Sequence, residues 1–158
     1  MINELPVQLK AINSSVLPKD ITSFSISQED AGSVALQNKT LKSAFDTFPN
    51  LTNVDLRGLD TAGVKDFLRM FSNCKKLVNV ELTGVNTSVA TNMNRMFNEC
   101  DSLEKIDLSN FDLNNMTDNN YMFFVYSSKP LVVVTTDEKL LNYSFTTDHR
   151  VSHAYPRV

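Results

Sequence analysis

The sequence predicts an α/β repeat solenoid, with short parallel strands on one face and short helices on the other. Three observations carry this. Leu51, Leu77 and Leu103 recur every 26 residues, and Leu51-Thr-Asn-Val-Asp-Leu56 returns as Leu77-Val-Asn-Val-Glu-Leu82 and Leu103-Glu-Lys-Ile-Asp-Leu108. The pairs Met70-Phe71, Met96-Phe97 and Met122-Phe123 keep the same phase, and each unit closes on Cys74, Cys100 or Tyr126. With Leu59/Val85/Phe111 and Val64/Ala90/Met116, eight columns stay apolar through three copies in a chain only 42% hydrophobic. Periodicity at this length is the signature of stacked supersecondary units.

Each unit has two halves with different periods. In the first, Val54 and Leu56 face one way and Asp55 the other, the alternation of a strand. In the second, Phe67, Met70, Phe71 and Cys74 fall at i, i+3, i+4 and i+7, the stripe of a helix of two or three turns, and Met93, Met96, Phe97 and Cys100 repeat it. Asp60, Asn86 and Asp112 lie between the halves, where an Asx side chain accepts from nearby backbone amides. One strand and one helix cannot bury both apolar faces alone, so neighbouring units must stack, strands beside strands. This is a leucine-rich-repeat solenoid in outline, expected as a single domain over residues 1–158. Residues 1–50 form an N-terminal segment and cap, 51–128 hold three 26-residue-type repeats, and 129–158 form a C-terminal cap and tail.

The ends depart from the pattern. Upstream, Leu41, Ala44, Phe45 and Phe48 continue the helical stripe without a Leu-x-x-Val-x-Leu segment before it, and Phe24 and Ile26 suggest a modified strand. Downstream, Leu131 follows Leu103 by 28 residues, so Thr136 stands where an inward leucine is expected, and Asn119 stands at the Phe67/Met93 position. Terminal repeats need a more polar outer face, which these changes supply. Residues 1–20 show no period and read as irregular.

Composition excludes several classes. The net charge of −3 provides no concentrated basic face for nucleic acid. No apolar run, Leu131-Val-Val-Val134 included, approaches membrane-spanning length, so no membrane insertion is expected. Met1-Ile-Asn-Glu-Leu-Pro6 lacks a basic segment leading into an apolar one, so no signal peptide is read here. Four glycines and two cysteines disfavour phosphate-cradling loops and a disulfide scaffold.

Candidate chemistry is sparse. Cys74 and Cys100 sit at equivalent places about one strand spacing apart, ~5 Å, near enough for a disulfide, but they read better as a buried apolar column with Tyr126 third. No CxxC pair and no nearby histidine suggests a metal, and no cofactor is expected. Asp148-His149-Arg150-Val-Ser152-His153 lacks a nucleophile turn and an oxyanion pattern, so it reads as solvated tail, and no catalytic residue is assigned. The sequons at Asn13, Asn38, Asn50, Asn86, Asn115 and Asn142 follow from an Asn- and Thr-rich composition. Asp55, Glu81 and Asp107 form an acidic column on the outward strand face; it suits capture of a cation or a basic partner, but reads better as neutralised by Arg57, Lys105 and water, because calcium wants about six to eight oxygens. With Asn53, Asn79, Thr83 and Ser109 they make the best candidate binding surface, because solenoids commonly bind through their strand face.

The string Thr91-Asn-Met-Asn-Arg-Met-Phe-Asn-Glu-Cys-Asp-Ser-Leu-Glu-Lys-Ile-Asp-Leu-Ser-Asn-Phe-Asp112 closely resembles the BspA-like leucine-rich repeat, a 26-residue bacterial surface-protein repeat of unknown function. The resemblance covers roughly residues 41–145, with Lys129-Pro-Leu-Val-Val-Val-Thr-Thr-Asp137 looking like the family's C-terminal unit. It implies a bacterial, surface-displayed or secreted module that adheres to host matrix, mucin, another glycoprotein or another cell. The expected function is therefore non-enzymatic binding of a protein or glycoprotein by a monomer. The alternative is a structural spacer or an intracellular, cytoplasmic interaction scaffold.

Overall fold

The computed structural model describes residues 18–26, 34–36, 39–126, 129–142 and 151–156. Their architecture is mixed α/β: short parallel strands in three sheets, with one α-helix among the described residues. In chain order the strands are β1 (Ser23–Ser25), β2 (Val34–Ala35), β3 (Asn53–Asp55), β4 (Leu59–Asp60), β5 (Asn79–Glu81), β6 (Lys105–Asp107) and β7 (Leu131–Thr135). The helix α1 (Glu138–Leu141) and strand β8 (Val151–Pro156) follow. The sheets run β1-β3-β5, β2-β4 and β6-β7-β8.

Pairing follows the repeat. Asn53, Val54 and Asp55 stand opposite Asn79, Val80 and Glu81, 26 residues on, and Phe24 stands opposite Val54, so the modified strand at Phe24 forms. Thr40, Asp66, Asn92 and Asp118 link through successive parallel bridges on the opposite edge of each unit. The core runs between these edges. Leu51, Leu77 and Leu103 are fully buried, as are Met70, Met96 and Met122. Through their middle runs a ring column, with Phe45, Phe71, Phe97 and Phe123 stacked near-parallel at 5.3, 5.4 and 5.7 Å between centroids. Phe24 meets Phe45 edge-on at 5.0 Å and closes its N-terminal end.

The expected repeat helices do not form. The stripe Phe67, Met70, Phe71 and Cys74 is buried as expected, but the backbone beneath it is a run of tight turns. Met70, Ser72 and Cys74 each donate to the carbonyl three residues back, at 3.1 Å. The alternate amides of Phe67, Arg69, Phe71 and Asn73 donate instead to Asn92, Asn94, Met96 and Asn98 of the next unit, at 2.8–3.0 Å. Arg69 and Asn73 take positive φ, 55° and 62°, which rules out a continuous helix. The next unit repeats the pattern, with Arg95 at 56° and Glu99 at 58°. Two inward residues in every four give the same stripe in either geometry. The turn form wins because it spends half the amides on the neighbour and so satisfies the backbone between units.

Three details at the C-terminal end correct the sequence reading. Ile106 pairs with Val133 and Asp107 with Val134, so the last unit is offset by 27 residues rather than 28. Thr135, fully buried, therefore takes the place of the inward Leu108, while Thr136 is exposed and donates to the Ser109 carbonyl. Tyr126 does not continue the cysteine column: it is 59% exposed, and Val125 is buried instead. The supposed tail around His153 is strand β8, parallel to β7, so its backbone is not free in solvent. Asn13, Asn38, His149 and residues 1–17 lie outside the described residues.

Cys74 and Cys100 are free and buried, as the column reading expects. Their thiols approach the carbonyls of Phe45 and Phe71, at 2.9 and 3.2 Å. Burial pushes the Cys74 thiol up to about 12 and that of Cys100 well above its ordinary value.

Candidate functional site

The expected strand-face residues lie together. Asn53, Arg57, Asn79, Glu81, Thr83, Lys105 and Asp107 are exposed; Asp55 and Ser109 are half-buried. Strand alternation places them, since Val54, Leu56, Leu82, Ile106 and Leu108 turn inward and are buried. Asn79 donates its amide to the Asn53 amide oxygen at 2.7 Å, a side-chain ladder between equivalent positions.

The acidic column is organised by local bonds. Asp55 accepts the Arg57 backbone amide at 3.0 Å and pairs with the guanidinium at 2.7 Å. Hydrogen bonds from the Arg57 side chain hold its carboxyl below the ordinary carboxylate value, against the smaller opposing effect of desolvation. Glu81 accepts both the backbone amide and the hydroxyl of Thr83, and Asp107 accepts the Ser109 amide at 2.9 Å. Each acid therefore closes its own turn two residues on. Among the described residues, no group of three or more His, Cys, Asp or Glu side chains could hold a metal ion.

The same device recurs twice more in each unit. Asp60, Asn86 and Asp112 accept the amides of Ala62, Ser88 and Asn114 at 2.8–2.9 Å, the turns read from sequence. Asp66, Asn92 and Asp118 accept those of Leu68, Asn94 and Asn120 at 3.0–3.1 Å, a set that the expectation of a helix concealed. Three fixed turns per unit hold the strand face to one outline.

An open groove of about 680 Å³ crosses this face. Its walls include Asn53, Asp55, Asn79, Glu81, Lys105 and Asp107 from the sequence-based set. Sequence reasoning missed Phe24, Val78, Val80 and Glu104, which also line it. The reason is a seam: β5 and β6 belong to different sheets, without the hydrogen-bonded ladder that joins β3 to β5 and β6 to β7. The seam leaves Val80 half-buried where Val54 and Ile106 are buried, and Val78 is 46% exposed beside it. Nothing in the repeat pattern marks this boundary, because the Val80 and Ile106 segments match their neighbours. Arg57, Thr83 and Ser109 lie beyond the groove lining, at the turns that end the strands.

A family model described as Mycoplasma protein of unknown function, DUF285, matches residues 39–130. The chain belongs to this family. The DUF285 match takes in the Met-Phe turns, β3 to β6 and the Asn53–Asn79 ladder, and ends just before β7. No curated protein and no solved structure is significantly similar to the chain. Among the described residues, no helix of this DUF285 chain is long and apolar enough to cross a membrane.

Proposed function

We propose that this DUF285 chain is a leucine-rich-repeat solenoid of the BspA-like kind. On this reading it serves a bacterial cell-surface protein as a non-enzymatic, monomeric module binding a protein or glycoprotein through its strand face. The observation that carries the reading is the groove at β5 and β6: an apolar floor at Val78 and Val80, rimmed by the paired amides of Asn53 and Asn79 and by Glu81, Lys105 and Asp107. Recognition surfaces combine an apolar centre with a polar rim. Here the rim is held in advance by the turns that Asp55, Glu81 and Asp107 close, which lowers the ordering cost of binding. Surface display and adhesion to matrix, mucin or another cell come from the BspA-like resemblance of the Met-Phe and Leu-x-x-Ile-Asp-Leu elements.

The test is capture of the purified chain on immobilised matrix proteins, mucins and cell-surface glycoproteins, compared with a variant carrying N53A, D55N, N79A and E81Q. The expected result is saturable binding to at least one of them and a loss of tenfold or more in the variant, with its circular dichroism unchanged. Full binding by the variant would move the site off the strand face. No capture on any surface would favour a structural spacer or an intracellular scaffold instead.

A further inference from the structure

We propose that the turn side of the units carries a second site, for a saccharide bearing a carboxylate. This does not rest on the strand-face reading, since it uses other residues. A groove of about 380 Å³ lies there, lined by Arg69, Asn73, Arg95, Asn98, Tyr121 and Phe124 among others. Small-molecule sites commonly enclose about 300–1,000 Å³.

Three kinds of chemistry meet in the groove. The first is aromatic surface. Tyr121 is 49% exposed in the groove wall, and Phe124, also in the wall, lies edge-on to it with centroids at 6.0 Å; Tyr126 flanks Phe124 from outside the lining, at 5.1 Å. Such rings offer electron-rich faces to the polarised C–H bonds on one side of a pyranose. The second is fixed hydroxyl acceptors. The side-chain nitrogens of Asn73 and Asn98 both donate to Ser72 Oγ, at 3.1 and 3.4 Å. That orients their amide oxygens, which accept from no donor among the described residues. The third is guanidinium. Arg95 lies over the Tyr121 ring at 5.3 Å, and no acid among the described residues forms an ion pair with Arg69 or Arg95. The one acid in the lining, Glu99, is paired with Lys75 at 3.3 Å. Two guanidiniums without a carboxylate, in a chain of net charge −3, complement a ligand that brings one.

Arg69, Arg95 and Tyr121 occupy the same place in successive units, with φ of 55°, 56° and 55°, as Ser43 does at 53°, so the repeating turn sets them in register. A carboxylated pyranose uses all three elements together: its C–H face on the Tyr121 ring, its hydroxyls on the Asn73 and Asn98 oxygens, and its acid on the guanidiniums.

The experiment is an NMR titration of the full chain with 3′-sialyllactose, a hyaluronan tetrasaccharide and neutral lactose, repeated on R69G and Y121G. Glycine accepts positive φ, so both variants keep the fold and hold their Tm within a few degrees. At least one acidic saccharide is expected to saturate the Arg95, Asn98 and Tyr121 amide signals, with lactose at least tenfold weaker and each variant losing tenfold or more. Which acidic probe binds distinguishes a sialic acid from a uronic acid source. The proposal is overturned by no saturable shift at about 10 mM of either acidic probe, by equal binding of lactose, by full affinity in R69G and Y121G, or by shifts at Asn79 and Lys105 instead.

Discussion

Replacing Phe97 by alanine isolates the contacts between units. Phe97 is fully buried, and its ring stacks on Phe71 at 5.4 Å and Phe123 at 5.7 Å. Returning a buried phenylalanine to water forfeits about 1.5–3 kcal/mol. Losing a ring leaves roughly 100 Å³ empty, and at about 24 cal/mol per Å³ an unrelaxed cavity adds up to ~2.4 kcal/mol. Each lost stack is worth ~0.5–1.5 kcal/mol beyond area, part of it already within the cavity cost. The expected loss is therefore ~3–5 kcal/mol, a large fraction of the ~5–15 kcal/mol that holds a domain. Urea unfolding followed by far-UV circular dichroism measures it as a lower midpoint at constant slope. A loss under about 1 kcal/mol would show that Phe97 does not bear on both neighbours, and the ring column would cease to be the axis of the fold.

Three further outcomes follow from buried polar groups. Thr61 is buried, and its hydroxyl donates to the Asn86 carbonyl at 3.1 Å while accepting the Asn86 amide at 2.7 Å; Thr61→Val leaves both groups unmatched and is expected to cost ~1–3 kcal/mol by urea titration, with Thr61→Ser much closer to wild type. Cys74 has its thiol raised from 9.0 to about 12 in the folded chain, so above pH 9 the unfolded chain sheds its proton first. Stability is then full below pH 9 and lost as pH climbs towards 12; a C74A/C100A chain should show a shallower alkaline decline, and an identical decline would assign it to other groups. At pH 8 neither cysteine should react with iodoacetamide until the chain is unfolded.

The repeat and nearly all of its core were legible, because burial depends on which residues are apolar and at what spacing. Leu51, Met70 and Phe71 with their equivalents show this. Backbone conformation was less legible. Phe67, Met70, Phe71 and Cys74 satisfy helical spacing, and spacing alone does not separate a helix from turns that place two residues inward in every four. A signal was present: Asp66, Asn92 and Asp118 each precede such a stretch, and Ser72, Asn73, Asn94 and Asn98 within the stretches are poor helix formers that favour turns. The end register failed because Leu131 suggested a leucine column, whereas β7 pairs by Val133. On the strand face, alternation identified the polar columns, but the seam beside Val80 depends on inter-strand distances that sequence does not encode. The aromatic groove was missed because Arg69, Arg95 and Tyr121 were read as outward positions of separate helices, whereas the turns set them side by side.

The ring column and the turn bonds recur with one 26-residue period. Phe45 donates to Met70, Phe71 to Met96 and Phe97 to Met122, each across the same 25-residue step. Excising one whole period from the gene would bring Phe71 against Phe123 and re-form the junction that was removed. Copy number can thus drift by unequal crossing-over without any compensating substitution, so the length of such an array is free to change while its cross-section is conserved by geometry.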